Sequence, residues 1–235
     1  MGAAREFTRE ELAGIAETFR RGRSVDKRDR AFFALGIGSA WRCGSLLSLT
    51  LGDAARREEG RWVARAWVHL AAANEKTGVA RDYRLDGEVR RAVQEWVEEM
   101  GRMGAIFPGC ALFCGVGAGR REWPAISRFA ARRMVRRRFA EGCGLEGLDG
   151  VGVHSLRKTH CVEVKDFWEE QKAGGRLLDA DTEGMKSSGH RSLESWKHYA
   201  RRMKADSRLE SWAAVERRAV RALCGAGGGG DGVRG

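Results

Sequence analysis

The segment AFFALGIGSAWRCGSLLSL, residues 31–49, is apolar almost throughout and carries one ionised side chain, Arg42. A guanidinium does not lose its proton in a protein, and burying one without a partner is very costly. Any fold this segment enters must therefore bring to Arg42 either an acid or an anion that binds there. The apolar pattern itself predicts two packed helices, broken near Gly36 and Gly38.

The flanking pattern supplies further elements. Thr8 to Glu11 reads as a capping box opening a helix through about Arg20, followed by a polar loop, RGRSVDKRD. Over Arg61 to Leu70, the residues Trp62, Ala64, Ala66, Val68 and Leu70 alternate onto one face, the period of a strand. NEKTGVARDYRL then predicts a turn at Lys76-Thr77-Gly78 and a second strand through Tyr83 and Leu85, making a hairpin. Asp86 is placed to cap a helix with Val89, Ala92, Val93, Trp96, Val97 and Met100 on its inner face. After a glycine-rich loop at 108–121, Pro124 is expected in the first turn of a helix reaching Phe139, with Ile126, Phe129, Ala130 and Met134 inward. Its outer face holds Arg128, Arg132, Arg133, Arg136, Arg137 and Arg138, a run of one sign whose self-repulsion an anion would relieve. A loop at 142–152 leads to helices beyond Ser155, over LESWKHYARRMK and over 207–223. The tail at 224–235 is glycine-rich and is expected to be disordered.

Lys plus Arg outnumber Asp plus Glu by 43 to 32, a formal charge of +11, which favours an acidic partner, nucleic acid first. No apolar run approaches the ~20 residues of a membrane span, and the N-terminus lacks a signal-peptide core, so the expected setting is intracellular with no membrane partner. The six cysteines are scattered without zinc-ligand spacing and read as reduced thiols, so no metal site is expected.

Chemistry concentrates in two stretches. His154 and Arg157 are three apart, on one face of a helix. In SSGHRSLESWKHYARR, His190 follows Gly189 and Tyr199 comes nine residues later, with Leu193 and Trp196 as the expected anchors of that helix. A phenol has a pKa near 10, so as a nucleophile Tyr199 would need nearby positive charge and a proton acceptor. H-x-x-R, then G-H, then Tyr nine residues on resembles the signature of the tyrosine recombinases, also called phage integrases. Upstream, GSAWRCGSLLSLTLGDA is similar to that family's first-arginine segment and places Arg42 at its arginine. NEKTGVARDYRL is similar to the family's hairpin pattern S-K-T-x-x-x-R-x-[VI]-P-L and places Lys76 at its lysine. Departures are Ser45, where the family usually has a Glu bracing the first arginine, Ser188 in place of a Leu, and a longer stretch, WEEQKAGGRLLDAD, between Arg157 and His190.

The resemblance implies an α+β catalytic domain over 1–223, mostly helical with a small antiparallel hairpin. The helical DNA-clamping domain usual at the family's N-terminus is not expected here, so either the chain is truncated or it clamps DNA by another route. The implied activity is site-specific DNA recombination through a 3′-phosphotyrosyl link, needing no cofactor and no metal. In that scheme Tyr199 is the nucleophile and Arg42 and Arg157 clamp the phosphate. His190 donates to the phosphate, His154 assists proton transfer, and Lys76 protonates the leaving oxygen. Arg128, Arg132 and Arg136 would contact double-stranded DNA, and the working form would be a homo-oligomer, a tetramer on two duplexes. The alternative is a relative that binds DNA without exchanging strands.

Overall fold

The capping box forms as its spacing predicts. In the computed structural model, which describes residues 4–200 except 77, 86, 106, 118–121 and 189, the Thr8 hydroxyl accepts from the Glu11 amide at 3.2 Å and the Glu11 carboxylate accepts from the Thr8 amide at 2.9 Å. Two amides orphaned at a helix start are thereby satisfied, and α1 spans Arg9–Glu17. Asp86, Thr77, the helix expected over 207–223 and the tail at 224–235 lie outside the described residues.

Helix α2 (Ser24–Ser39) begins inside the stretch expected to be a loop. The reason is tertiary. Asp26 and Asp29 are fully buried, and Arg138 reaches both, with Nη2 2.6 Å from Asp26 and 2.8 Å from Asp29. Arg23 and Arg28 add a further ion pair to each carboxylate. Burial alone would push the Asp26 pKa up, but hydrogen bonds from Arg23 and Arg138 prevail and hold it below its ordinary value. Arg138, expected on the outer face of its helix, is only 1% exposed.

Nor is α2 broken at its glycines. A Cβ on Gly36 would lie 2.8 Å from Leu156 Cδ1, and one on Gly38 would overlap the Tyr83 hydroxyl. Both glycines serve close approach by neighbouring elements. The break falls instead at Ala40, in the left-handed region at φ 54°, and from there the chain turns through Trp41 and Arg42 into α3 (Cys43–Leu47) and α4 (Leu51–Ala54).

The strand expected over 61–70 is two strands. β1 (Ala55–Glu58) pairs antiparallel with β2 (Arg61–Ala64), and β3 (Trp67–Leu70) pairs antiparallel with β4 (Arg81–Arg84), Val68 opposite Tyr83. The backbone changes partner in between: Arg65 N donates to Ala54 O, whereas Ala66 O accepts from Leu85 N. Alternation predicts the buried faces of Trp62, Ala64, Val68 and Leu70 correctly, but Ala66 at the switch is exposed. The β3–β4 hairpin forms as expected, its connection containing a 3-10 turn at Ala72–Asn74.

Helix α5 (Gly87–Arg102) buries all six expected positions, and Trp96 Nε1 donates to Leu112 O at 2.7 Å. Helix α6 (Arg128–Cys143) starts four residues later than Pro124, capped by the Ser127 hydroxyl, because Ala125 is held extended by a bridge to Cys114. Of the residues expected inward, Met134 is buried while Phe129 is 73% exposed; the buried face is Ala131, Met134, Val135, Arg138 and Phe139. Helices α7 (Val153–Ala173), α8 (Ala180–Ser188) and α9 (Leu193–Ala200) follow. The main core joins α1 to α6 with the first half of α7, while Cys161 and Val164 of α7 form a smaller core with Trp196 and Ala200. The class is therefore α+β, mostly helical, with two small antiparallel sheets.

Replacing Arg138 by Met should lower stability by about 3 kcal/mol, since two carboxylates lose their shared buried partner. The same change at exposed Arg132 should cost under about 0.5 kcal/mol. Urea unfolding of both variants checks the difference.

Candidate active site

Arg42 finds its acid. Its Nη1 lies 2.6 Å from Glu75 Oε1, and Glu75, whose side chain is 1% exposed, accepts on Oε2 from the Ser45 hydroxyl at 3.1 Å. Glu75 sits immediately before Lys76, in the connection from β3 to β4. Lys76 is exposed and shares with Arg42, Ser45, Arg128 and His154 a cleft of about 540 Å³. A larger cleft of about 940 Å³ adjoins it, lined by Arg128, Phe129, Arg132, Arg133, Arg136 and, again, His154. Arg128 and Arg132 are exposed there. Arg136 is half-buried, and its Nη1 donates to Leu148 O at 3.0 Å and Val151 O at 3.2 Å, stapling the loop before α7.

His154 and Arg157 share the first turns of α7. The Arg157 guanidinium is almost wholly buried, at 1% exposure, and forms no salt bridge among the described residues. Its Nη1 donates to Ala40 O, the carbonyl of the left-handed residue that ends α2, and its Nη2 lies 2.7 Å from His190 Nε2. Arginine has only donors, so His190 Nε2 must accept and the ring proton sits on Nδ1. Nδ1 lies 2.7 Å from the Ser188 oxygen, and the Ser188 hydroxyl donates onward to Gly184 O at 2.8 Å. This chain fixes the His190 tautomer. Burial first, then the charges of Arg157 and Arg42, push its pKa down to about 3.

Tyr199 is on the last turn of α9. Its hydroxyl is 3.3 Å from His154 Nδ1, its ring centroid is 5.2 Å from Arg157 Cζ, and the His190 ring lies 5.3 Å away. Desolvation, Arg157 and Arg42 lower the His154 pKa, leaving a neutral ring able to accept a proton. Trp196 anchors α9, being fully buried with Nε1 2.9 Å from Asp181 Oδ1; Leu193, the other expected anchor, is 42% exposed. Lys158 completes the mounting, its Nζ 3.3 Å from the carbonyls of both His198 and Tyr199. The stretch WEEQKAGGRLLDAD, expected to be an insertion, forms the end of α7, a connection at 174–179 and the start of α8, and α8 carries Asp181 and Ser188 to these contacts.

Four supporting residues escaped the motif reading: Glu75, Arg81, Lys158 and Ser188, the last noted only as a departure. Arg81 stands at the arginine of the hairpin pattern, is drawn into the electrostatics of Arg42 and Glu75, and donates to Ser188 O at 3.3 Å. Its signal was present in the pattern. Lys158 had no signal, because its role depends on two carbonyls some forty residues away.

No family model matches the chain. A curated relative, the probable integrase/recombinase YoeC of Bacillus subtilis (strain 168), is 29% identical over 151 residues, 63% of this chain and 70% of that protein. Among solved structures, XerA recombinase aligns with a TM-score of 0.59 at 15% identity, over 86% of this chain and 60% of its own. XerH site-specific recombinase aligns at 0.58 and 18% identity, over 84% and 50%. Lambda integrase(75-356) aligns at 0.54 and 16% identity, over 89% and 64%. The fold is that of a tyrosine recombinase catalytic domain. The chain spans half to two thirds of the length of those solved chains.

In this recombinase fold the buried histidines tie stability to pH. His160 and His190 are both pushed from an ordinary value near 6.5 to about 3, chiefly by burial. Below pH 6.5 the unfolded chain takes up protons that the folded one refuses, so stability falls as pH drops from 6.5 toward 3. The urea midpoint should decrease between pH 7 and pH 5, above the carboxylate range, and the decrease should be smaller in His160→Gln.

Proposed function

We propose that this chain cuts and rejoins duplex DNA strands at specific sites through a 3′-phosphotyrosyl intermediate. The observation that carries the reading is the buried Arg157, which no carboxylate among the described residues neutralises, lying over the ring of a tyrosine whose hydroxyl meets a neutral histidine. Buried Arg138, by contrast, is matched by two buried acids, Asp26 and Asp29, and by the more exposed Glu141. A guanidinium desolvated without a counter-ion is stabilised by an arriving phosphate, and the nucleophile is already beside it. Proteins of similar fold support this reading: XerH was crystallised bound to its difH substrate in a post-cleavage complex, and a lambda integrase dimer bound to a COC′ core site.

In this mechanism the Tyr199 oxygen attacks phosphorus and its proton passes to His154 Nδ1. The bond from phosphorus to the 5′-oxygen breaks, and Lys76 supplies the proton that the leaving oxygen needs. Arg42 and Arg157 bind the non-bridging oxygens, where charge develops. His190 holds Arg157 in the free protein with its Nε2 lone pair, so it donates to the phosphate only once Nε2 carries a proton, either as the other neutral tautomer, with the Ser188 hydroxyl turned to donate to Nδ1, or as the imidazolium. The incoming negative charge favours the imidazolium. Reversal by another strand's 5′-hydroxyl restores the tyrosine and completes exchange, with no net consumption of bond energy. Exposed Arg128 and Arg132 extend the positive surface along the duplex, and two duplexes would be joined by a homotetramer.

A pool of nicked duplexes with randomised sequence around the nick provides the test. Wild type should form an adduct that survives denaturation, Tyr199→Phe should form none, and His154→Ala should react on the order of 10²-fold more slowly. Adduct formation by Tyr199→Phe would remove the assigned nucleophile. Salt-sensitive binding without any adduct would sink strand cleavage and leave a DNA-binding role.

A further inference from the structure

The carboxylate against Arg42 comes from an unexpected part of the chain. Position 45, where the resemblance calls for a bracing acid, is a buried serine on α3, and its hydroxyl has two acceptors on the β3–β4 connection, the Glu75 carboxylate at 3.1 Å and Asn74 O at 3.2 Å. The negative charge thus lies beside Ser45 but is carried by the β3–β4 connection. Glu75 is nearly inaccessible, its two oxygens are divided between Arg42 and Ser45, and the Arg81 guanidinium also lies within its field. Among the described residues it is the one acid paired with Arg42. An anionic group so placed fixes the guanidinium through Nη1, while the Arg42 side chain as a whole is 27% exposed and lines the cleft. It also precedes Lys76 by a single peptide bond, so the pair that orients the arginine anchors the base of the turn carrying the lysine.

We propose that Glu75 is the positioning residue for the Arg42 clamp, taking over from the hairpin connection the work of an acid at position 45, and that it thereby ties the Lys76 turn to that clamp. The inference rests on the function proposed above. Glu75 touches no reacting atom; it acts through the orientation of Arg42 and the reach of Lys76. Displacing a positioned catalytic group by about 1 Å typically costs on the order of 10²-fold in rate.

The test compares wild type, Glu75→Ala and the double variant Ser45→Glu/Glu75→Ala on a duplex recovered from the randomised pool, made with either an ordinary 5′-oxygen or a 5′-bridging sulfur at the cut bond. Sulfur leaves without needing a proton, so the second substrate bypasses Lys76. Glu75→Ala should form adduct about 10²-fold more slowly on the ordinary duplex, with duplex affinity changed less than about 3-fold. The double variant returns a carboxylate to the vacated space, so it should regain at least about ten-fold on the sulfur substrate and less on the ordinary one, where the freed lysine turn still limits the rate. Wild-type rates for Glu75→Ala, or a folded double variant no faster than Glu75→Ala on either substrate, would overturn the brace. Equal recovery on both substrates would overturn the tie to Lys76.

A wild type that forms no adduct defeats the proposed function, and the pair then remains readable from stability. Arg42→Met should lower Tm by leaving Glu75 buried without its counter-ion, and adding Glu75→Gln should restore part of that loss. Strictly additive changes in Tm would refute the pairing itself.

Discussion

A buried guanidinium must place its N–H groups and its charge somewhere, and the answer at Arg157 organises the second half of the molecule. One nitrogen holds the carbonyl of Ala40 where α2 ends, another holds the imidazole between α8 and α9, and its face covers the ring of Tyr199. Three segments distant in sequence are thereby referred to one side chain on α7. Arg138 solves the same problem in the opposite way. It is equally buried but meets Asp26 and Asp29, so its charge is cancelled and its role is to join α6 to α2. The comparison separates an arginine matched by buried acids from one that meets no carboxylate among the described residues.

The architecture around Arg157 follows from packing rather than local preference. Helix α7 is buried against α2 in its first half and against α8 and α9 in its second, so its first turns can hold His154 at the cleft rim while later turns mount the helix bearing Tyr199. Lys158 on the same helix holds the carbonyl end of α9. Arg42 arrives from the other side because α2 stops at Ala40, and the hairpin connection arrives because Tyr83 packs on the bare backbone at Gly38. The site is a meeting of helix ends and turns, in which Arg157 is held at its tip while Lys76 stands exposed on the hairpin connection.

Much of the helical pattern was legible before the structure. All six inner positions of α5 and both partners of the capping box were readable because helix periodicity and cap chemistry act within a few residues. Arg138 was not, since an arginine inside a basic run looks solvated unless the acids that bury it, over a hundred residues away, are known. Gly36 and Gly38 looked like breaks because a missing side chain can mean either freedom or close contact, and only the neighbour decides. Phe129 looked inward because it is apolar, but at 100° per residue it lies opposite the stripe of Ala131, Met134, Val135 and Arg138 that the neighbouring elements bury.

For the site, the linear chain determined which chemical groups are available: two arginines, a lysine, two histidines and a tyrosine in a recognisable order, and an Arg42 obliged to find a negative partner. Their residue types and spacing within each motif are local properties, which a sequence states outright. Tertiary structure decided who partners whom. It chose Glu75 over any acid near Arg42 in sequence, gave Arg157 no carboxylate among the described residues, and set the His190 proton on Nδ1 through Ser188. Those choices depend on distances between elements separated by about thirty residues or more, or on which way a ring is turned when they close around it, and no short-range pattern encodes either.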